Sequence, residues 1–147
     1  LAFHARPLAS ASVLVAAGMT TPNPFSIGPG GKGYDPARPG ILRLTRHPVL
    51  WGLALWAGGH VVPNGDAAAL MVFAPLLALA LAGPRLLDAK RRRSLGSARW
   101  AEMAERTARP TLALLPEMGW GRLLAGAALF ALLLTLHEPV IGISPVP

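Results

Sequence analysis

No cysteine occurs among the 147 residues, which excludes disulfides, zinc-thiolate centres and thiol catalysis. Charge is scarce too, at 14% of residues where an ordinary soluble domain carries about 25%. That is too little to clothe a water-facing surface. Only seven residues are acidic, most of them in loops. Neither a Ser-His-Asp set nor a paired-carboxylate arrangement is evident, so hydrolysis has no visible machinery. An initiating methionine is lacking as well. The chain begins Leu1-Ala2-Phe3-His4, and its first methionine is Met19, inside an apolar run. We expect an N-terminal truncation with one or more helices upstream. Nor does a charged start precede an apolar run and a cleavage site, as a signal peptide requires.

What is present is apolar and arranged in blocks. Hydrophobic residues make up 52% of the chain, with the charges gathered between the blocks. This patterning implies an all-α integral membrane protein, a polytopic transmembrane helical bundle of about four spans, in one domain over 1–147. The expected spans are Leu8 to Thr21, His47 to Val62, Ala67 to Leu87 and Gly121 to His137. A helix needs about 20 residues to cross the hydrocarbon core, so the second and fourth should borrow flanking turns such as Ile41 to Arg46. Pro75 and Gly83-Pro84 should kink or end the third.

The connections read clearly. Thr21 to Gly33 is too rich in proline and glycine for regular structure. Pro63-Asn64-Gly65-Asp66 is a tight turn that folds the second and third spans into an antiparallel hairpin, with Asp66 suited to cap the third. Asp88 to Pro110 is a polar loop holding Lys90-Arg91-Arg92-Arg93, with an amphipathic helix around Ser97 to Arg106. The net charge of +7 does not point to nucleic acid, because the basic residues flank apolar spans rather than form a stripe on a soluble fold. They follow the positive-inside rule, placing both long loops in the cytoplasm and the short turn and C-terminal tail outside. The basic run then serves as topology signal and lipid-phosphate contact. Trp51, Trp100 and Trp120 read as interfacial belt residues.

Within this frame His60 is the leading site residue. A histidine in an apolar span is costly to leave unpaired and is a functional candidate by default. Gly58 and Gly59 precede it and Trp56 lies one turn before. Small residues admit either a flat cofactor or a neighbouring helix, so His60 reads either as an axial ligand to haem iron or as a helix-end histidine bonded to a turn carbonyl or to Asp66. A ring pointing into open solvent, or pinned by its own turn, would overturn the case for a cofactor built on an unpaired imidazole. Arg46 and His47, ahead of Pro48, either hold an anionic cofactor group at a positive helix start or anchor the chain at lipid phosphate. His47 lies about 20 Å and roughly 140° from His60 along one helix, so the two cannot serve one metal. His60, His137 and His4 should all fall near the external face. His137 reads as a further haem or proton group or as an interfacial pair with Glu138.

Several motifs in common order carry a resemblance. Thr21-Pro22-Asn23-Pro24, then Pro39-Gly40-Ile41-Leu42-Arg43-Leu44-Thr45-Arg46-His47-Pro48, resembles the NnrU family of bacterial membrane proteins. So do Leu55-Trp56 with His60, Asn64-Gly65-Asp66, Gly83-Pro84-Arg85 with the basic run and Leu95-Gly96, and the closing His137 to Pro147. The resemblance spans nearly the whole chain. It implies a multi-pass protein of the bacterial cytoplasmic membrane, linked to nitrite and nitric oxide metabolism in denitrification, and a kinship with 15-cis-zeta-carotene isomerase. That isomerase binds haem b, so the resemblance implies haem b with His60 as metal ligand and His47, Arg46 and Trp56 around the cofactor. The isomerase's second ligand lies upstream of this chain, and its nearby cysteine is replaced here by Ala57. Arg46-His47-Pro48 with Gly52, followed by a basic loop with Leu95-Gly96, Trp100, Arg106 and Pro110, is also similar to membrane methyltransferases that use S-adenosylmethionine. There Asp88 stands alone where an acidic pair is usual. A third reading is a non-enzymatic structural subunit. Membrane lipids are the expected partners under all three.

Overall fold

The computed structural model describes residues 2–144, with side chains from residue 6 onward. The order is α1 (Ala2–Thr20), a 3₁₀ turn (Gly40–Arg43), α2 (Pro48–Val61), α3 (Ala67–Leu95), α4 (Ser97–Ala104), α5 (Leu114–Met118) and α6 (Trp120–Ile141). No strand is present among the described residues. α2 starts where Pro48 supplies a fixed φ and needs no N–H partner. α3 starts where the Asp66 carboxylate accepts the Ala69 N–H at 3.0 Å, satisfying an end donor of the helix.

The long helices form a row in the order α6, α1, α2, α3, each packed on the next. Glycines set the close approaches. A methyl group on Gly52 would lie 2.7 Å from Val15 Cγ2 and 2.9 Å from the Ala11 carbonyl. On Gly126 it would lie 2.5 Å from Val13 Cα, so α6 touches the α1 backbone directly. This is the small-residue packing that apolar helices use where no water drives them together.

Two helices, α3 and α6, are long and apolar enough to cross a membrane, and only 6% of the most apolar window of each is buried. Apolar helices this bare are consistent with a membrane protein and unlike the buried core helix of a soluble one. The expectation of about four spans is thereby reduced to two. α2 has 14 residues, about 21 Å of helix, short of the roughly 30 Å hydrocarbon core. It does not borrow Ile41 to Arg46, because Gly40–Arg43 is a separate buried turn. α1 has 19 residues but carries Arg6, Pro7, Ser10 and Ser12 before its last eight.

Other boundaries move as well. Pro75 and Pro84 lie inside α3 without ending it, and the basic run 90–93 continues that helix rather than forming a loop. α6 extends past His137 to Ile141, giving the fourth expected span its missing length. The amphipathic segment appears as α4, whereas α5 had no counterpart in the sequence reading. The tight turn and the Asp66 cap stand as expected.

At one end of the row the connections fold into a polar cap. Its core is Phe25, Ile41, Leu42, Ala104 and Met118 against Ala17 of α1. The segment after α1 is irregular yet closely held. Asn23, 1% exposed, accepts the Phe25 and Ser26 N–H groups at 2.9 and 3.1 Å and donates to the Arg46 carbonyl at 2.9 Å. The Tyr34 hydroxyl donates to the Met103 carbonyl at 2.8 Å. Burial, with the Asp35 charge adding, pushes its pKa up to about 12, which keeps that donor protonated. Trp100, expected at the membrane interface, packs edge-on to Phe25 instead.

Candidate functional site

The sequence-derived site residues separate into two places at opposite ends of α2. Arg46 and His47 belong to the cap, while Trp56 and His60 lie at the far end. They cannot surround one cofactor.

At the cap end Asp88 of α3 joins both residues. Arg46 reaches it through Nε, 3.2 Å from either oxygen, and Nη2 at 2.7 Å. Nη1 lies 3.4 Å from Thr107 Oγ1, and the guanidinium sits 5.2 Å from the Trp100 ring centre. His47, 3% exposed, is 2.9 Å from Asp88 Oδ1 through Nε2. Burial outweighs the attraction of Asp88 and, helped by Arg46, leaves the imidazole pKa below its ordinary value. Neutral His47 must then donate from Nε2, since a carboxylate only accepts. Its Nδ1 is buried without a partner. A guanidinium so fully engaged joins α2, α3 and the cap. Sequence reasoning had Asp88 near this motif but not bonded to it.

At the other end a cavity of about 410 Å³ opens between α1, α2, α3 and α6, lined by Trp56, His60, Phe73, Phe130, His137 and aliphatic side chains. The ring centres of His60 and His137 are 6.4 Å apart. His60 also packs 4.8 Å from Phe73 and 4.9 Å from Trp56. The role of Gly59 is helix packing, since a methyl there would lie 3.0 Å from Leu8 of α1.

One premise of the sequence reading fails here. His60 is not stranded in lipid, because its Nδ1 lies 2.8 Å from the Trp56 carbonyl, one turn back. This is the helix-end alternative, a histidine bonded to a carbonyl of its own helix, and the case for iron from an unsatisfied ring falls with it. His137 is held likewise, by Nδ1 at 2.8 Å from the Ile143 carbonyl, and no ion pair with Glu138 forms among the described residues. A carbonyl only accepts, so each Nδ1 carries a proton, and of the two neutral tautomers only the one with its lone pair on Nε2 fits. A backbone-bonded Nδ1 with a free Nε2 is also the arrangement that orients metal-binding imidazoles. Two such donors among aromatic walls fit a haem chemically. They do not make a metal centre by themselves, and no group of three ligating side chains exists among the described residues. The His4 side chain lies outside the described residues.

An all-helical protein with two bilayer-length helices, an ion-paired cap and a facing pair of histidines is the class this geometry defines. A family model described as NnrU protein matches residues 4–145, and the chain belongs to that family. No curated protein and no solved structure matches it significantly.

Proposed function

We propose that this NnrU protein is a multi-pass membrane protein that binds haem b in the aromatic chamber, where His60 and His137 would be the residues that hold it. α3 and α6 would cross the bilayer and hold α1 and α2 between them. The cap would face the cytoplasm, since it gathers nearly all the basic residues. One observation carries the reading, namely two imidazoles with ring centres 6.4 Å apart that line one largely apolar cavity, each bonded through Nδ1 to a backbone carbonyl. Trp56 and Phe73 would flank the macrocycle and exclude water. Arg46 and His47 would not take part, being bound to Asp88 at the other end of α2. Bound haem supplies redox chemistry and gas-ligand binding, which suits a role in nitrite and nitric oxide metabolism or in redox-linked isomerisation.

The methyltransferase reading has weaker support, because the guanidinium it needs for the cofactor carboxylate is already held by Asp88. The test is the absorbance spectrum of the full-length protein purified in mild detergent. A Soret band is expected, weakened by His60→Ala and by His137→Ala. A colourless wild type under haem-replete expression would overturn the proposal. Binding of S-adenosylmethionine that Arg46→Ala abolishes would promote the methyltransferase, and neither signal would leave the structural subunit.

A further inference from the structure

We propose that the groove where α3 leaves the membrane is a binding site for the phosphate of an anionic phospholipid. Two open cavities adjoin there, of about 760 and 590 Å³, sharing Arg85 and Asp88. Arg85, Arg92 and Arg93 stand seven and eight residues apart, the spacing that puts side chains on one helix face, and all three line the larger cavity.

The charge on this face is not balanced from within. Asp88 is the one acidic residue lining either cavity, and its carboxylate is occupied by Arg46 and His47. Among the described residues no carboxylate pairs with Arg85, Arg92 or Arg93. The first turn of α4 opens on the same cavity at Gly96 and Ser97, with no side-chain cap on its N–H groups. Arg93 Nε donates to the Ala89 carbonyl at 3.2 Å and Arg92 lies 5.8 Å from the Trp100 ring centre, but the remaining guanidinium N–H groups of the three suit a phosphate, which accepts in several directions at once.

Position selects a lipid as the source. Arg85 lies 19 residues beyond the Asp66 cap, about 28 Å along the helix, which is one hydrocarbon thickness and so the level of the opposite headgroups. The second cavity continues from Arg85 onto Leu14, Trp51 and Leu55. That apolar floor leads back between α1 and α2, where an acyl chain would lie. Cationic head and apolar floor together describe an amphiphile.

Delipidated full-length protein, titrated with phosphatidylglycerol in detergent and followed by native mass spectrometry and thermal melting, tests this. Phosphatidylglycerol should be retained and stabilising, with phosphatidylcholine and inorganic phosphate far weaker. The double substitution Arg85→Gln/Arg92→Gln should weaken phosphatidylglycerol binding about tenfold or more. A charge-matched control, Lys90→Gln/Arg109→Gln, should leave it unchanged. Both pairs are exposed, and circular dichroism would confirm that each variant folds. Equal loss in the control would overturn the proposal in favour of diffuse attraction. Equal binding of phosphatidylcholine, or displacement by inorganic phosphate at matched concentration, would overturn it as well.

Discussion

Arg43 and Glu117 lie 74 positions apart and are joined by two hydrogen bonds, Nη2 to Oε1 at 2.6 Å and Nε to Oε2 at 3.0 Å. Both side chains are about nine-tenths covered, so the pair pins α5 to the buried 3₁₀ turn. The Arg43 hydrogen bonds, aided by the Gly40 N–H against an opposing burial effect, hold the Glu117 carboxyl below its ordinary 4.5. A depressed carboxyl pKa stabilises the fold above the unfolded value and loses that contribution as pH falls through the folded one. Acidification below 4.5 should therefore loosen the cap. Glu117→Gln should abolish this component and cost about 3 kcal/mol by leaving Arg43 unpaired. Thermal melting in detergent across pH reads both effects, and an unchanged acid limb in the variant would refute them.

His47 titrates with the same sign by a different cause. Burial sets its folded pKa below 6.5, so the unfolded chain takes up the proton first as pH drops. Its contribution is complete above 6.5 and declines below that, toward the folded pKa. His47→Gln should flatten the melting curve of stability against pH just below 6.5. Identical slopes in both proteins would show that this ring is not the titrating group.

Asp88→Asn offers a contrast with the chamber. It should loosen the link from Arg46 and His47, destabilising the protein by about 2 kcal/mol through the weakened charge-assisted bonds. Any Soret band should persist, because the two sites sit at opposite ends of α2. Loss of the band in a well-folded Asp88→Asn protein would place the haem at the cap instead.

His60 and His137 should act together. If both hold iron, His60→Ala/His137→Ala should lose the haem that each single variant retains in part, and the single variants should shift the Soret maximum. Spectra of the singles that match the wild type would remove histidine ligation.

Gly126→Val tests the packing of the row. The added side chain would meet both the backbone and the side chain of Val13 on α1, and cannot be accommodated without separating the helices. A loss of about 1–3 kcal/mol is expected. Gly121→Val on the same helix, where a methyl would meet nothing within 4 Å, should cost less by the melting temperature.

Much of this architecture is legible in local pattern. An apolar run of bilayer length identifies α3 and a shorter one most of α6, the Asn64-Gly65-Asp66 turn fixes the hairpin and its cap, and clustered arginines place two long connections at one end. Each is a short-range property, governed by helix rise, by turn geometry or by the cost of charge in lipid. Pro75 and Gly83-Pro84 were expected to kink or end α3, and they do not end it.

The sites were another matter. His60 stood out as an imidazole in an apolar run and its bond one turn back to Trp56 is local, yet its approach to His137 does not follow from spacing along the chain. Arg46, His47 and Asp88 were all visible without their union. The sequence alone determined that this chain is helical, that its apolar helices suit a membrane and that its charges collect at one end, because those outcomes depend on residues within a few turns. Only the tertiary structure decided which polar groups satisfy one another. That depends on how closely α6, α1, α2 and α3 stack, and the stacking is set by contacts such as Gly52 on Val15 and Gly126 on Val13, whose partners lie on other helices.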